Sequence, residues 1–140
     1  MPAVYEYVLR VQPKDIDALG HVHNLVYMQW ILASALEHSA AQGWPAEAYR
    51  KIGSGWVVRS HTIKYVKPAL EGDEVVVRTW LAEGRRFSCL RRYRVVRQHD
   101  EQLLASAATE WAYIDFATGN LARIPPEVLG AFEIVQDAEV

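Results

Sequence analysis

Residues 15–30 read Asp-Ile-Asp-Ala-Leu-Gly-His-Val-His-Asn-Leu-Val-Tyr-Met-Gln-Trp. Two carboxylates, two imidazoles and a glycine turn therefore stand directly ahead of a strongly apolar stretch. A helix that begins near Asn24 has unpaired backbone N–H groups in its first turn, and the aligned peptide dipoles make that end positive. An acidic side chain held a few residues upstream faces this polarising end. The chemistry such a junction suits is hydrolysis: the carboxylate attacks or activates water, while fixed N–H donors take the charge that develops on a carbonyl oxygen.

The elements that must position these groups are legible on either side. Tyr5 to Val11 alternates well enough for a strand, and Pro13 with the Asp-rich loop ends it. Residues 24–42 are apolar around almost the whole circumference of a helix, so protein is expected to wrap it on most sides. Asn24 is the expected N-cap, and Gly43 with Pro45 the stop. A loop or short helix leads to Gly55. Strand-like runs then cover Trp56–Val66, Asp73–Ala82, Phe87–Gln98 and Gln102–Asp115, with turn residues spaced for antiparallel hairpins. Thr118-Gly119-Asn120 makes another turn and Pro125-Pro126 opens a short terminal helix.

One long helix against long antiparallel strands gives an α+β fold, a sheet wrapped around a helix, in a single domain spanning residues 1–140. The outer face of the sheet, with Trp80, Trp111 and Tyr113 as candidates, is left partly wet unless a second copy covers it or an edge, so an oligomer is expected. The chain's 51% hydrophobic residues, including five Trp and seven Tyr, point the same way.

A formal net charge of -2 gives no general basic field for nucleic acid or anionic membrane. The single cysteine, Cys89, excludes an internal disulfide and any Cys-x-x-Cys site, and its strand context reads as a buried, inert thiol. With no leader-like start and no run of the roughly 18 apolar residues a membrane span needs, the expectation is a soluble cytoplasmic protein.

The order of strand, Asp-x-Asp-x-x-Gly-His-Val-x-Asn-x-x-Tyr, buried helix and four-strand meander resembles the hotdog-fold thioesterases, specifically the 4-hydroxybenzoyl-CoA thioesterase-like branch. The run Tyr65-Val66-Lys67-Pro68-Ala69-Leu70-Glu71-Gly72-Asp73 resembles that family's connection between its second and third strands, and Thr118-Gly119 with Arg123-Ile124-Pro125 resembles its ending. The resemblance implies a hotdog fold, a long central helix wrapped by five or six antiparallel strands. It implies acyl-CoA or acyl-carrier-protein thioester hydrolysis, with Asp17 as the catalytic carboxylate and the Asn24 N–H as the oxyanion donor. It also implies a homodimer or homotetramer with substrate entering between subunits. No metal or redox cofactor is implied; coenzyme A is part of the substrate. The Gly20-His21-Val22 version with Asn24 looks more like relatives acting on aliphatic acyl groups.

His21 completes the catalytic candidates. Its imidazole can hydrogen-bond the carboxylate, position water, or fix the loop structurally. Asp17 capping a turn is the plainer reading of that residue. Tyr27, Arg85, Arg86 and Ser88 are substrate-binding candidates. Arg85 and Arg86 suit the phosphates of coenzyme A, while a tyrosine one turn into the helix is explained at least as well by core packing. Strand alternation places Arg92 and Arg94 on one face and Arg91 and Arg97 on the other. Glu37 and His38 read as polar groups on the helix's less buried side. The alternatives in function are a hotdog enoyl-thioester hydratase or dehydratase using Asp17 with His21, a non-catalytic acyl-thioester binder, and a small RNA-binding module using the arginine run.

Overall fold

A computed structural model describes residues 3–136. Five strands, β1 (Tyr5–Arg10), β2 (Ser54–Tyr65), β3 (Glu74–Gly84), β4 (Ser88–Arg97) and β5 (Gln102–Asp115), form one antiparallel sheet in the order β1-β3-β4-β5-β2. Three helices join them: α1 (Asn24–Ala41), α2 (Ala46–Ile52) and α3 (Pro126–Leu129). The expected strands and helices are present within one or two residues of their sequence bounds, and the sheet has five strands.

Helix α1 lies on one face of the sheet because its sequence supplies one continuous buried stripe. Tyr27, Trp30, Ile31, Ser34, Ala35, His38 and Ser39 recur at helical spacing and are the buried residues of the helix. In its first half the stripe meets Val75 and Val77 of β3, Tyr93 and Val95 of β4, and Leu104, Ala105 and Ala107 of β5, forming the main core. Within one chain the helix is not wrapped as its composition suggests. Leu25 and Leu36, on the opposite side, are 57% and 63% exposed. The helix ends in a Schellman motif: Gly43, at φ 93°, donates to the Ala40 carbonyl, and the Trp44 N–H reaches that of Ser39 at 2.8 Å.

Three expectations are corrected by side-chain direction. Trp111 and Tyr113 point to the inner face, because β5 alternates in step with the core residues Ala105 and Ala107. Only Trp80 lies on the outer face, and it is just 2% exposed. His38 falls on the buried stripe rather than the wet side of α1 and is 1% exposed. The N-cap of α1 is His23, not Asn24: its Nδ1 accepts from the Leu25 N–H at 3.1 Å, and Asn24 becomes the first helical residue.

The connection from β2 to β3 folds back over the start of α1. The Ala69 carbonyl accepts from the Val22 N–H at 3.0 Å, and the Ala69 N–H donates to the Tyr27 hydroxyl at 2.9 Å in a fully buried setting. Replacing Tyr27 by Phe strands that buried N–H, which costs about 1–3 kcal/mol. The expected result is a drop in melting temperature of at least about 3 °C by calorimetry or circular dichroism, with the far-ultraviolet spectrum unchanged.

Candidate active site

The acidic motif is a short two-stranded loop. Asp15 and Ile16 run outward and Val22 and His23 return, tied by the Ile16–Val22 bridge, the His23 N–H to the Asp15 carbonyl at 2.8 Å, and the Asp17 N–H to the His21 carbonyl at 2.8 Å. Gly20, at φ 81°, permits the reversal, and its N–H reaches the Asp17 carbonyl at 3.1 Å. The two carboxylates differ in what they do. Asp15 is buried and its Oδ2 accepts from the Gln12 N–H at 2.9 Å, closing the 3₁₀ turn Pro13–Asp15. Asp17 is half-buried at the tip, where its Oδ1 accepts from the Leu19 N–H at 2.9 Å and the His21 N–H at 3.3 Å. Its Oδ2 has no partner among the described residues.

These bonds give Asp17 the turn-capping role, yet they use only one of its oxygens. His21 meets Asp17 through its backbone; its imidazole is exposed and makes no hydrogen bond to the carboxylate among the described residues. His23 supplies the cap. Since Nδ1 accepts, the ring proton lies on Nε2. The cap satisfies the Leu25 N–H, and the Val26 N–H reaches the His23 carbonyl at 2.9 Å, so the Asn24 N–H is the first-turn donor left without a partner among the described residues. The Asn24 carbonyl is held from the other side by the Tyr65 hydroxyl at 3.1 Å.

The substrate-binding candidates do not gather around this loop within one chain. Tyr27 is buried in the core with its hydroxyl taken by Ala69, and burial pushes that hydroxyl's pKa up. Arg85, Arg86 and Ser88 sit at the turn joining β3 to β4. The motif leaves β1 at Arg10, which pairs with Glu74 at the opposite end of β3. That separates the two by about 30 Å along the strand. Arg85 pairs with Glu83 at 2.6 Å, Arg86 lies over the Phe87 ring, and Ser88 is buried.

A cavity of about 590 Å³ lies under the second half of α1, between it, α2 and the inner face of β3, β4, β5 and β2. Leu36, Trp44, Tyr49, Trp56, Arg91 and Trp111 are among its lining, and Asp17, His21 and Asn24 are not. Sequence reading did not single out the polar groups at this end. Arg91 is buried against His38 and Thr79, and the Tyr49 hydroxyl accepts from Trp56 Nε1 at 3.0 Å and bonds Ser39 Oγ at 2.9 Å. The available signal was that Arg91 shares strand parity with Tyr93 and Val95; which face held the helix was the missing fact. The arginine run is therefore no single patch: Arg91 is interior, while Arg85 and Arg97 are committed to carboxylates.

Among the described residues no three His, Cys, Asp or Glu side chains come together as metal ligands, and no helix is long and apolar enough to cross a membrane.

A long helix laid across one face of a five-stranded antiparallel sheet in the order 1-3-4-5-2, with an acidic turn leading into the helix start, is the hotdog class of α+β domain. The profile of the Thioesterase-like superfamily matches residues 11–132, and the chain belongs to that family. A relative from Aquifex aeolicus (strain VF5) that carries the provisional name of an esterase is 29% identical over 137 residues, 98% of this chain and 100% of its own. Among solved structures, a 1,4-dihydroxy-2-naphthoyl-CoA thioesterase from Synechocystis superposes with a TM-score of 0.85 at 19% identity, covering 91% of this chain and 94% of its own. A gentisyl-coenzyme A thioesterase does so at 0.82 with 24% identity, covering 91% and 99%. At those identities the two structures establish the shared fold.

Burial pushes the Cys89 thiol up to about 12, against a smaller opposing effect of the Arg91 charge. A disulfide reagent at pH 8 is therefore expected to find no reactive thiol in the native protein and one equivalent after denaturation in guanidinium, read by thiolate absorbance. Rapid native labelling would show that the reagent reaches Cys89, through the cavity it lines or by opening of its strand.

Proposed function

We propose that the protein hydrolyses acyl-CoA thioesters, with Asp17 as the catalytic carboxylate and the main-chain N–H of Asn24 as the oxyanion donor. One observation carries the reading. A single short loop presents a carboxylate oxygen, Asp17 Oδ2, and a helix-start donor, Asn24 N–H, both without a protein partner among the described residues, in a chain that belongs to a thioesterase family.

As the thioester carbonyl is attacked its oxygen gains negative charge, and a donor fixed at the positive end of α1 stabilises that state more than the neutral carbonyl. Asp17 serves either by attacking the carbon itself, giving a mixed anhydride that water then opens, or by taking a proton from the attacking water onto Oδ2. Both routes need the carboxylate ionised and release the thiol of coenzyme A. Structural neighbours that act on coenzyme A thioesters favour that carrier over an acyl-carrier protein. No metal or redox group enters the scheme. A reducing cytoplasm suits the lone buried thiol.

The reading requires a homodimer, because one chain holds the acidic loop and the Arg85–Arg86 turn at opposite ends. Strand β2, 12 residues long, ends the sheet and has no strand on its outer edge among the described residues, with Val57, Val58 and Tyr65 exposed along it. Two copies related by a two-fold axis join such an edge to itself antiparallel. The Tyr65 end of one β2, which touches Asn24, then meets the Ser54 end of the other, beside Trp56 and the cavity. Asp17 of one copy would work next to the partner's cavity and the turn carrying Arg85 and Arg86, and the exposed stripe with Leu25 and Leu36 would be covered. The hydratase alternative lacks support, since it needs an acid–base pair and the His21 imidazole is not joined to Asp17.

Asp17→Asn keeps the Oδ1 acceptor for Leu19 and His21 and removes only the ionised oxygen. It is expected to lower kcat on acyl-CoA at least about 100-fold with the melting temperature within about 2 °C of wild type. Near-normal thiol release by this variant would remove Asp17 from the mechanism. For the shared site, inactive Asp17→Asn protein is unfolded and refolded together with an inactive Arg85→Glu/Arg86→Glu double variant. About one quarter of wild-type activity should return, because half the dimers are mixed and each holds one intact composite site. No recovery, with mixed dimers verified by mass spectrometry, would mean that each chain works alone.

A further inference from the structure

The cavity under the second half of α1 contains a charge that the proposed hydrolysis does not use. Arg91 is 4% exposed, at the inner face of β4. No carboxylate of the described residues pairs with it. Both hydrogen bonds of its guanidinium among those residues come from Nη1, to His38 Nδ1 at 2.9 Å and Thr79 Oγ1 at 3.1 Å. An arginine only donates, so His38 accepts through Nδ1 as a neutral imidazole and contributes no counter-charge at that atom. The Phe132 ring packs under the guanidinium at 5.6 Å. Nε and Nη2 remain for whatever fills the cavity.

A guanidinium is expensive to bury without an opposing charge, and burial lowers the Arg91 pKa accordingly. The nearby acid, Glu37, lies at the exposed mouth of the cavity, where its carboxylate accepts from the Tyr5 hydroxyl at 3.3 Å. The other walls are mostly apolar, with Leu36, Trp44, Trp56, Leu81 and Trp111 among them. A volume of about 590 Å³ suits a small organic molecule rather than one or two waters. An occupant must therefore be apolar over most of its length and anionic at one end. The two remaining nitrogens form a fork that matches a carboxylate. Arg50 also lines the cavity but is an exposed residue of α2, and the Tyr49 hydroxyl, Ser39 Oγ and Trp56 Nε1 are bonded to one another, so the buried fork of Arg91 is the cation available inside.

We propose that this cavity is a binding site for a carboxylate carried on an apolar body, with Arg91 as the group that receives it. Two sources share that chemistry. One is the far end of the acyl group when the substrate is the monothioester of a dicarboxylic acid, delivered from the partner's acidic loop. The other is a free carboxylic acid, the chemical class of the product. The first source rests on the thioesterase reading and the second does not.

The experiment has two arms on the intact oligomer. Calorimetric titration compares decanoate with decan-1-ol on wild type, Arg91→Met and Arg91→Lys. Steady-state assays compare decanoyl-CoA with its ω-carboxy analogue on the same proteins. The site predicts that one of two preferences exceeds about tenfold in wild type, decanoate over the alcohol in Kd or the ω-carboxy thioester over the plain one in kcat/KM. A preference in the first arm identifies a free acid, and one in the second identifies the acyl chain. Arg91→Met abolishes whichever preference is found, and Arg91→Lys, with charge but no fork, retains part of it. Because the wild-type comparisons need no variant, the test stands even if Arg91→Met fails to fold. Equal treatment of acid and alcohol, or binding of neither, together with equal turnover of the two thioesters, overturns the proposal. A protein inactive on both thioesters refutes the thioesterase reading instead and leaves the titration to decide the site.

Discussion

The peptide unit at Ala69 ties the two halves of the acidic junction together. Its carbonyl holds the Val22 N–H on the returning arm of the loop, and its N–H is held by the hydroxyl of Tyr27, one turn into α1. Loop and helix are thus fixed to the same buried point, so the position of Asp17 relative to the helix start is not left to a flexible hinge. Further restraint comes from the same connection: Tyr65 bonds the Asn24 carbonyl, and the Leu70 N–H is taken by Asp73 Oδ2 at 3.0 Å. The Asp-x-Asp motif and the Tyr65–Asp73 run are far apart in sequence, and these bonds give a physical reason for both to occur in one chain.

Helix α1 divides into two regimes over the same buried stripe. Its first half carries Tyr27, Trp30 and Ile31 into a dense apolar core, where a change of one methylene would be felt. Its second half brings Ala35, Ser39 and Ala40 to the cavity and His38 to the Arg91 that lines it, and Trp56 and Trp111 of two further strands meet it there. A precisely held junction benefits from the first regime. A pocket that accepts an occupant needs the second, since a fully packed end would leave no volume. The residues that look unfavourable for stability, a buried arginine and a buried histidine, sit where packing has already been given up.

Hydrophobic periodicity and turn chemistry made the elements legible. Gly43 and Pro45 end the helix as expected and Gln102–Asp115 is a strand with those bounds, but only β3, β4 and β5 form a meander: β2, expected to open it beside β3, crosses over to pair with β5, and β1 takes the place beside β3. What could not be read was direction. Strand alternation separated Arg91 from Arg92 but cannot say which parity meets the helix, so Arg91, Trp111 and Tyr113 were assigned without knowing the inner face. His38 departs from expectation for a related reason: its type suggests water, while its spacing from Tyr27, Ile31 and Ser34 puts it on the buried stripe. At the candidate site, the acidic turn and the helix start were visible in residue types, but the division of labour between Asp15 and Asp17 depends on which backbone donors each oxygen meets.

The one-residue difference in where the helix is capped carries chemical weight. Had Asn24 been the N-cap, its side chain would have satisfied a first-turn donor and its own N–H would have preceded the helix, outside the row of aligned amides. With His23 as cap, Asn24 is the first helical residue, and its N–H points from the positive end with the Leu25 donor beside it already occupied. The cap operates only while Nδ1 carries a lone pair. Protonating His23 would remove the acceptor, release the Leu25 N–H and add a cation at the end of the helix dipole that disfavours it. The cap thus depends on the Nε2–H tautomer that its own geometry requires, and that tautomer is what leaves Asn24 as the free donor of the first turn among the described residues.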